Sequence, residues 1–122
     1  MTDKEYRDIR KRLEFLIGKW EKLLGLQNSW AISVQLFRGG FDDRSSGNVM
    51  WTTADWQYRL ASIGIDMPLA LQETEERLEE CIIHELMHVI IRQAMEHDGH
   101  EHEEYVCSTL AQAFLRTSKG TK

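Results

Sequence analysis

The sequence predicts an α+β domain: an N-terminal helix, a small three-stranded and mainly antiparallel sheet, then a buried helix and a C-terminal helix. Three observations predict it. Apolar residues recur at three- and four-residue spacings over the first two dozen positions, the period of one helix face. Between Trp30 and Ile65 the pattern changes to alternation, with aromatic and β-branched residues enriched. From about Thr74 onward helical composition returns and no proline follows. The 122 residues suffice for one core and are too few for two, so residues 1–122 are read as a single domain.

Taken in order, Tyr6, Ile9, Leu13, Leu16, Trp20 and Leu23 form one stripe on a helix from about Asp3 to Leu24, which Gly25 ends. The stripe is only about three heptads long, so it packs within the chain rather than as a coiled-coil seam. Trp30, Ile32, Val34 and Leu36 then alternate with smaller or more polar residues as a half-buried strand does. Arg38 to Gly47, with three glycines, two aspartates and two serines, has the composition of an exposed loop. Val49–Thr53 and Trp56–Ile65 give two further strands joined by Ala54-Asp55, and a three-strand meander is the simplest arrangement, with a bulge near Tyr58-Arg-Leu60. After Asp66-Met-Pro68 a helix is expected, with Thr74 as its cap and Glu75 and Glu76 in its first turn. From Leu78 to Ile91 apolar residues fall on every side, which marks a buried helix. Asp98-Gly99 breaks it. The last helix begins by about Glu103 and turns Glu103, Cys107, Leu110 and Phe114 inward.

Composition narrows the function classes. A formal net charge of −5 repels nucleic acid, and the basic run Arg7 to Arg12 is interleaved with apolar helix positions as a solvated face, so no nucleic-acid partner is expected. The N-terminal residues hold no apolar segment of signal-peptide type, and no stretch approaches the roughly 18 apolar residues of a membrane span. A cytoplasmic location without membrane contact is the expectation. Cys81 and Cys107 form no CxxC pair and read as reduced thiols.

The chemistry is concentrated in His84-Glu85-Leu-Met-His88, which interrupts the most apolar helix of the chain. Random placement of five histidines and thirteen glutamates yields a His-Glu-x-x-His match in about one such chain in fifty. The weight therefore comes from context: buried polar groups need partners, and two core histidines hydrogen-bonded to backbone or carboxylates compete with a metal site as the explanation. Histidines four apart lie one turn apart on one face, so both rings can reach one ion at about 2.0–2.1 Å, the Zn–N distance. Glu85 sits roughly 100° round the helix, where it can lean over an open coordination position and serve as base for a water whose pKa zinc lowers.

A third ligand must come from elsewhere. Glu103 and Glu104 are the candidates, Glu103 being favoured because it shares the expected inward face of the last helix; His97, His100 and His102 are rivals. One of these histidines, or Tyr105, is a candidate for stabilising an oxyanion. Cys81, one turn before His84, could also approach the metal, although a core thiol fits its place better.

His84-Glu-Leu-Met-His88 followed by Glu103-Glu-Tyr-Val-Cys-Ser-Thr-Leu-Ala111 resembles the zincin metallopeptidases of gluzincin type. The chain looks most like small prokaryotic and phage-encoded metallopeptidase-like proteins and, more distantly, the SprT-like and ImmA/IrrE-like groups. It departs from the latter in reading Cys-Ser-Thr-Leu-Ala where they show Ala-Asn-x-Phe-Ala, and from SprT-like proteins in having no CxxC pairs for a zinc ribbon. The resemblance implies a helix, a small sheet, the HExxH helix and a glutamate-bearing helix in that order. It further implies one Zn2+ and a protein or peptide substrate. A domain this small lacks the far wall of a two-lobed cleft, so an extended segment laid along the sheet edge, or a partner that completes the cleft, is expected. The competing expectation is a non-catalytic module in which zinc joins two helices and the sheet recognises a protein.

Overall fold

A computed structural model describes residues 1–38, 48–55, 57–91 and 100–120. The elements run α1 (Asp3–Leu23), β1 (Ala31–Phe37), β2 (Met50–Asp55), β3 (Leu60–Asp66), α2 (Met67–Leu71), α3 (Glu75–Ile91) and α4 (His100–Gly120). The α+β class and the order of helix, sheet and two final helices are those the sequence predicts.

Helix α1 starts in a reciprocal cap: Glu5 N donates to Thr2 Oγ1 at 3.1 Å and Thr2 N donates to Glu5 Oε1 at 2.8 Å. It ends where Gly25 takes a positive φ of 73°, a conformation that suits a residue without Cβ. Ile9, Leu13, Leu16, Ile17 and Trp20 form its buried face.

The sheet is mixed rather than a meander. Its strand order is β1-β3-β2, with β1 parallel to β3 and β2 antiparallel to it. β3 takes the centre because it is the most apolar strand: Ala61, Ile63, Gly64 and Ile65 are all buried, and a central position removes both faces and both edges from water. β1 and β2 each pair with β3 and not with each other. Ala54 and Asp55, expected as a connection, are the end of β2; the turn follows at residues 57–59, where Asp55 Oδ1 accepts from Gln57 N at 3.1 Å and Arg59 has φ 55°. Tyr58-Arg-Leu60 is thus turn and strand start rather than a bulge. Trp56, the loop at 39–47 and the Asp98-Gly99 break lie outside the described residues.

On the outer face of the sheet Trp51 stacks on Phe37, with ring centroids 5.4 Å apart, and lies across Gly64. A Cβ at position 64 would stand 2.2 Å from the indole, so only glycine lets Trp51 cover the central strand.

Helix α2 went unpredicted as a separate element. Asp66 Oδ1 caps it by accepting from Leu69 N at 3.1 Å, and Pro68 occupies its first turn, where no amide is needed. Thr74 caps α3 as predicted, accepting from Arg77 N at 3.1 Å.

Helix α3 is the hub of the molecule, packed on β2, α1 and α4. Leu78, Ile82, Ile83, Leu86, Met87 and Val89 are buried around its circumference, as its all-round apolar sequence requires. Its one buried acid facing α1, Glu79, accepts from Trp20 Nε1 at 2.7 Å and Lys19 Nζ at 2.8 Å. Burial opposes charge on Glu79, but these two hydrogen bonds and the Lys19 charge outweigh it and hold the carboxyl below its ordinary value.

Helix α4 buries Glu103, Cys107, Ala111 and Leu115. The sequence-based choice of Leu110 and Phe114 for the inward face is corrected: Leu110 is half-buried and Phe114 exposed. Ala111, fully buried, is small enough to let α4 close on α3, which a Leu or Phe at that contact would hold off. No helix among the described residues is long and apolar enough to cross a membrane.

Candidate metal centre

The site is assembled from two packed helices and one strand. On α3 the 3.6-residue repeat stacks His84 and His88, their ring centroids 4.9 Å apart and their Nε2 atoms 3.2 Å apart. Helix α4 brings Glu104 against both: Oε2 lies 3.1 Å from His84 Nε2 and Oε1 lies 2.7 Å from His88 Nε2. Behind the rings, the Glu103 carboxylate contacts His88 Nδ1, and Ser108 Oγ lies 3.2 Å from His84 Nδ1. Positions 104 and 108 share a helix face one turn apart, which is why one helix supplies partners to both histidines.

The donor set has a chemical consequence. A carboxylate only accepts, and one lies against each ring nitrogen of His88, Glu103 at Nδ1 and Glu104 at Nε2; the tautomer protonated on Nδ1 leaves a lone pair on Nε2. Ser108 Oγ can accept from Nδ1 of His84 in the same way. In the tautomers protonated on Nδ1, both Nε2 atoms present lone pairs on the side where the Glu104 carboxylate lies. Two imidazole nitrogens and a carboxylate so placed are a set of ligand atoms that suits a cation.

Glu85 occupies the adjoining position. It is 7% exposed, and Thr52 Oγ1 on β2 donates to its Oε1 at 2.5 Å while lying 3.3 Å from its backbone carbonyl. Burial pushes the Glu85 carboxyl above its ordinary value; the Thr52 hydrogen bond and positive charge on His84 or His88 pull it back. The ligand atoms of His84, Glu85 and His88 all lie within 4.8 Å of one another, a group that could hold a metal ion.

These side chains form the floor of a cleft of about 610 Å3 between β2 and α3. Residues 48–52 make one wall, and Arg77, Glu80 and Cys81 of α3 continue the other away from the histidines. Cys81 is half-buried there, its thiol pushed up by burial, and no disulfide joins it to Cys107.

Of the residues singled out from sequence, His84, Glu85, His88, Glu103 and Glu104 are brought together. Their division differs from the sequence-based preference: Glu103 is the buried one, 4% exposed, yet it meets the Nδ1 side of His88, while Glu104 faces the paired Nε2 atoms. Tyr105 points to solvent, 72% exposed, and is not part of the cleft lining. His97 and the side chains of His100 and His102 lie outside the described residues. Sequence reasoning missed Ser108 and Thr52. Ser108 had a signal, its four-residue spacing from Glu104; Thr52 had none, because its place depends on how β2 packs on α3.

No family model matches the chain, and neither a curated protein nor a solved structure does.

Proposed function

We propose that this chain is a zinc-dependent peptidase acting on a protein or peptide. The observation that carries the proposal is the meeting of His84 Nε2, His88 Nε2 and the Glu104 carboxylate beside a buried, hydrogen-bonded Glu85. Two nitrogens each about 2.0–2.1 Å from one tetrahedral ion lie roughly 3.3 Å apart, and the observed Nε2 separation is 3.2 Å. Two imidazoles, one carboxylate and an open fourth position form the donor set of catalytic zinc. In this assignment Glu103 and Ser108 are the groups that orient the rings from behind.

Bound zinc would supply Lewis acidity towards a scissile carbonyl and would lower the pKa of water in its shell. The chain's own residues do the rest. Thr52 pins one oxygen of Glu85 and leaves Oε2 free to take a proton as water adds to the carbonyl carbon. The same oxygen then returns the proton to the leaving amine. Burial favours this exchange by bringing the Glu85 carboxyl closer to neutral pH than a solvated one. β2 is an edge strand that also walls the cleft, so an extended segment can lie along it with its backbone paired and one bond over Glu85. The net charge of −5 favours a protein over a nucleic-acid substrate, and two cysteines not joined in a disulfide suit a reducing compartment such as the cytoplasm.

The test is elemental analysis of the untagged chain beside its His88→Ala and Glu85→Gln variants, followed by a peptide-library cleavage assay. About one zinc per chain is expected in the parent and in Glu85→Gln, with none in His88→Ala. Cleavage is expected in the parent alone. A folded parent that takes up no metal overturns the site, and cleavage retained by Glu85→Gln overturns the role of that residue. Metal bound equally by all three proteins would mean that the histidines are core residues and the ion sits elsewhere.

A further inference from the structure

The sheet has a second edge, β1, remote from the cleft. Its seven residues, Ala31–Phe37, include no charge and no proline, the devices with which exposed edges repel another strand. Ala31 N donates to the Arg59 carbonyl at 2.9 Å, and a strand in a parallel pair directs alternate residues to the same neighbour. Ala31, Ser33, Gln35 and Phe37 therefore bond inward to β3. The amides and carbonyls of Ile32, Val34 and Leu36 point outward, where no strand among the described residues meets them.

The side chains beside this free edge are also uncovered. Val34 is 38% exposed, and with Leu36 it lines a groove of about 250 Å3 against Leu13, Ile17 and Gly18 of α1. Three charged residues of α1, Arg10, Glu14 and Glu21, line the same groove, and Arg10 and Glu14 form an ion pair. Arg10 Nε is buried with no hydrogen-bond partner, its closest acid being Glu14 at 3.4 Å. Glu21 is half-buried with no hydrogen bond or ion pair among the described residues, and burial raises its carboxyl above the ordinary value. Eleven residues apart, Arg10 and Glu21 lie on one face of α1, separated by about 16 Å. Arg38 at the end of β1 pairs with Asp3 at the start of α1, so strand and helix run antiparallel, and Val34 shares the groove with Leu13, Ile17 and Gly18, which lie between Arg10 and Glu21.

We propose that β1 is the surface by which two copies of this chain associate, about a two-fold axis at Val34. Val34 then pairs with Val34 of the second copy and Ile32 with its Leu36, which satisfies every outward amide and joins the two sheets into one. The same axis sets each Arg10 against the other copy's Glu21. Gly18 lies close to the axis, with no atom within 4 Å of the place its Cβ would take, and so leaves room for the two α1 helices to approach. A single peptide strand could satisfy the edge, but only a second copy brings an acid and a base at this spacing in the reversed order.

Sedimentation velocity of the full chain over a range of concentrations tests this. The expected result is a monomer–dimer equilibrium. Val34→Pro removes an outward amide while sparing the bonds to β3, and is expected to raise the dissociation constant at least about tenfold with metal content unchanged. Arg10→Glu and Glu21→Arg are each expected to weaken the dimer, and the two together to restore it. A monomer at all concentrations overturns the proposal, as does a dimer indifferent to Val34→Pro. Should circular dichroism show Val34→Pro unfolded, the charge exchange decides: no recovery in the double variant overturns the two-fold arrangement.

Discussion

The two walls of the candidate metal centre are held in different ways. On the α4 side each histidine has a partner at both ring nitrogens, Glu104 in front and Glu103 or Ser108 behind. The stronger partner backs the deeper ring: the His88 side chain is 4% exposed and has the carboxylate, whereas that of His84 is 17% exposed and has the hydroxyl. On the β2 side Glu85 is held by Thr52 through one oxygen only. The difference follows from the two tasks proposed. Ligands gain from being fixed, since every freedom they keep must be lost when an ion binds, whereas a base must leave one oxygen unengaged to exchange protons. Removing groups from the α4 wall should therefore reduce metal binding, and removing the β2 contact should change turnover alone.

The largest effect is expected at Glu104. Glu104→Ala removes an oxygen facing both Nε2 atoms, and zinc affinity should fall by more than about 100-fold, whereas Glu103→Ala should cost about 10–100-fold, the range for partners of ligating histidines. Competition against a chromogenic chelator reads both. A greater loss at Glu103 would exchange the two roles and make Glu103 the ligand. Equal losses would mean that the front and back of the rings are not distinct.

How much of this was legible in the sequence depended on distance along the chain. His84, Glu85 and His88 were legible because one helical turn relates them, and α3 announced its burial through an apolar circumference. The choice between Glu103 and Glu104 was not, since burial alone could not tell whether an acid meets the front or the back of an imidazole. The phase of α4 was missed for a related reason: from Glu103 the buried positions Cys107, Ala111 and Leu115 follow a four-residue step, whereas Leu110 and Phe114, seven residues beyond Glu103 and Cys107, fall to one side of that line. In the sheet, alternation located the strands but not their order, which follows from β3 being the most apolar and hence the central strand. Thr52 acquires its role only when β2 lies against α3.

Thr52 gives the smallest and most discriminating of the expected effects. Thr52→Val keeps the β-branched shape that suits the strand and removes only the hydroxyl that donates to Glu85 Oε1. Losing this hydrogen bond should raise the Glu85 carboxyl further above its ordinary value. The sign is set by which form the bond favours: Thr52 stabilises the ionised carboxylate, so without it Glu85 stays protonated to higher pH. The acidic limb of the activity profile should move upward, with turnover on the limb reduced and metal content unchanged. A displaced limb with full zinc would place Thr52 behind the base and the four α4-side contacts behind the metal. A loss of zinc in Thr52→Val would instead mean that the two walls are one mechanical unit, with β2 helping to hold α3 and α4 in register.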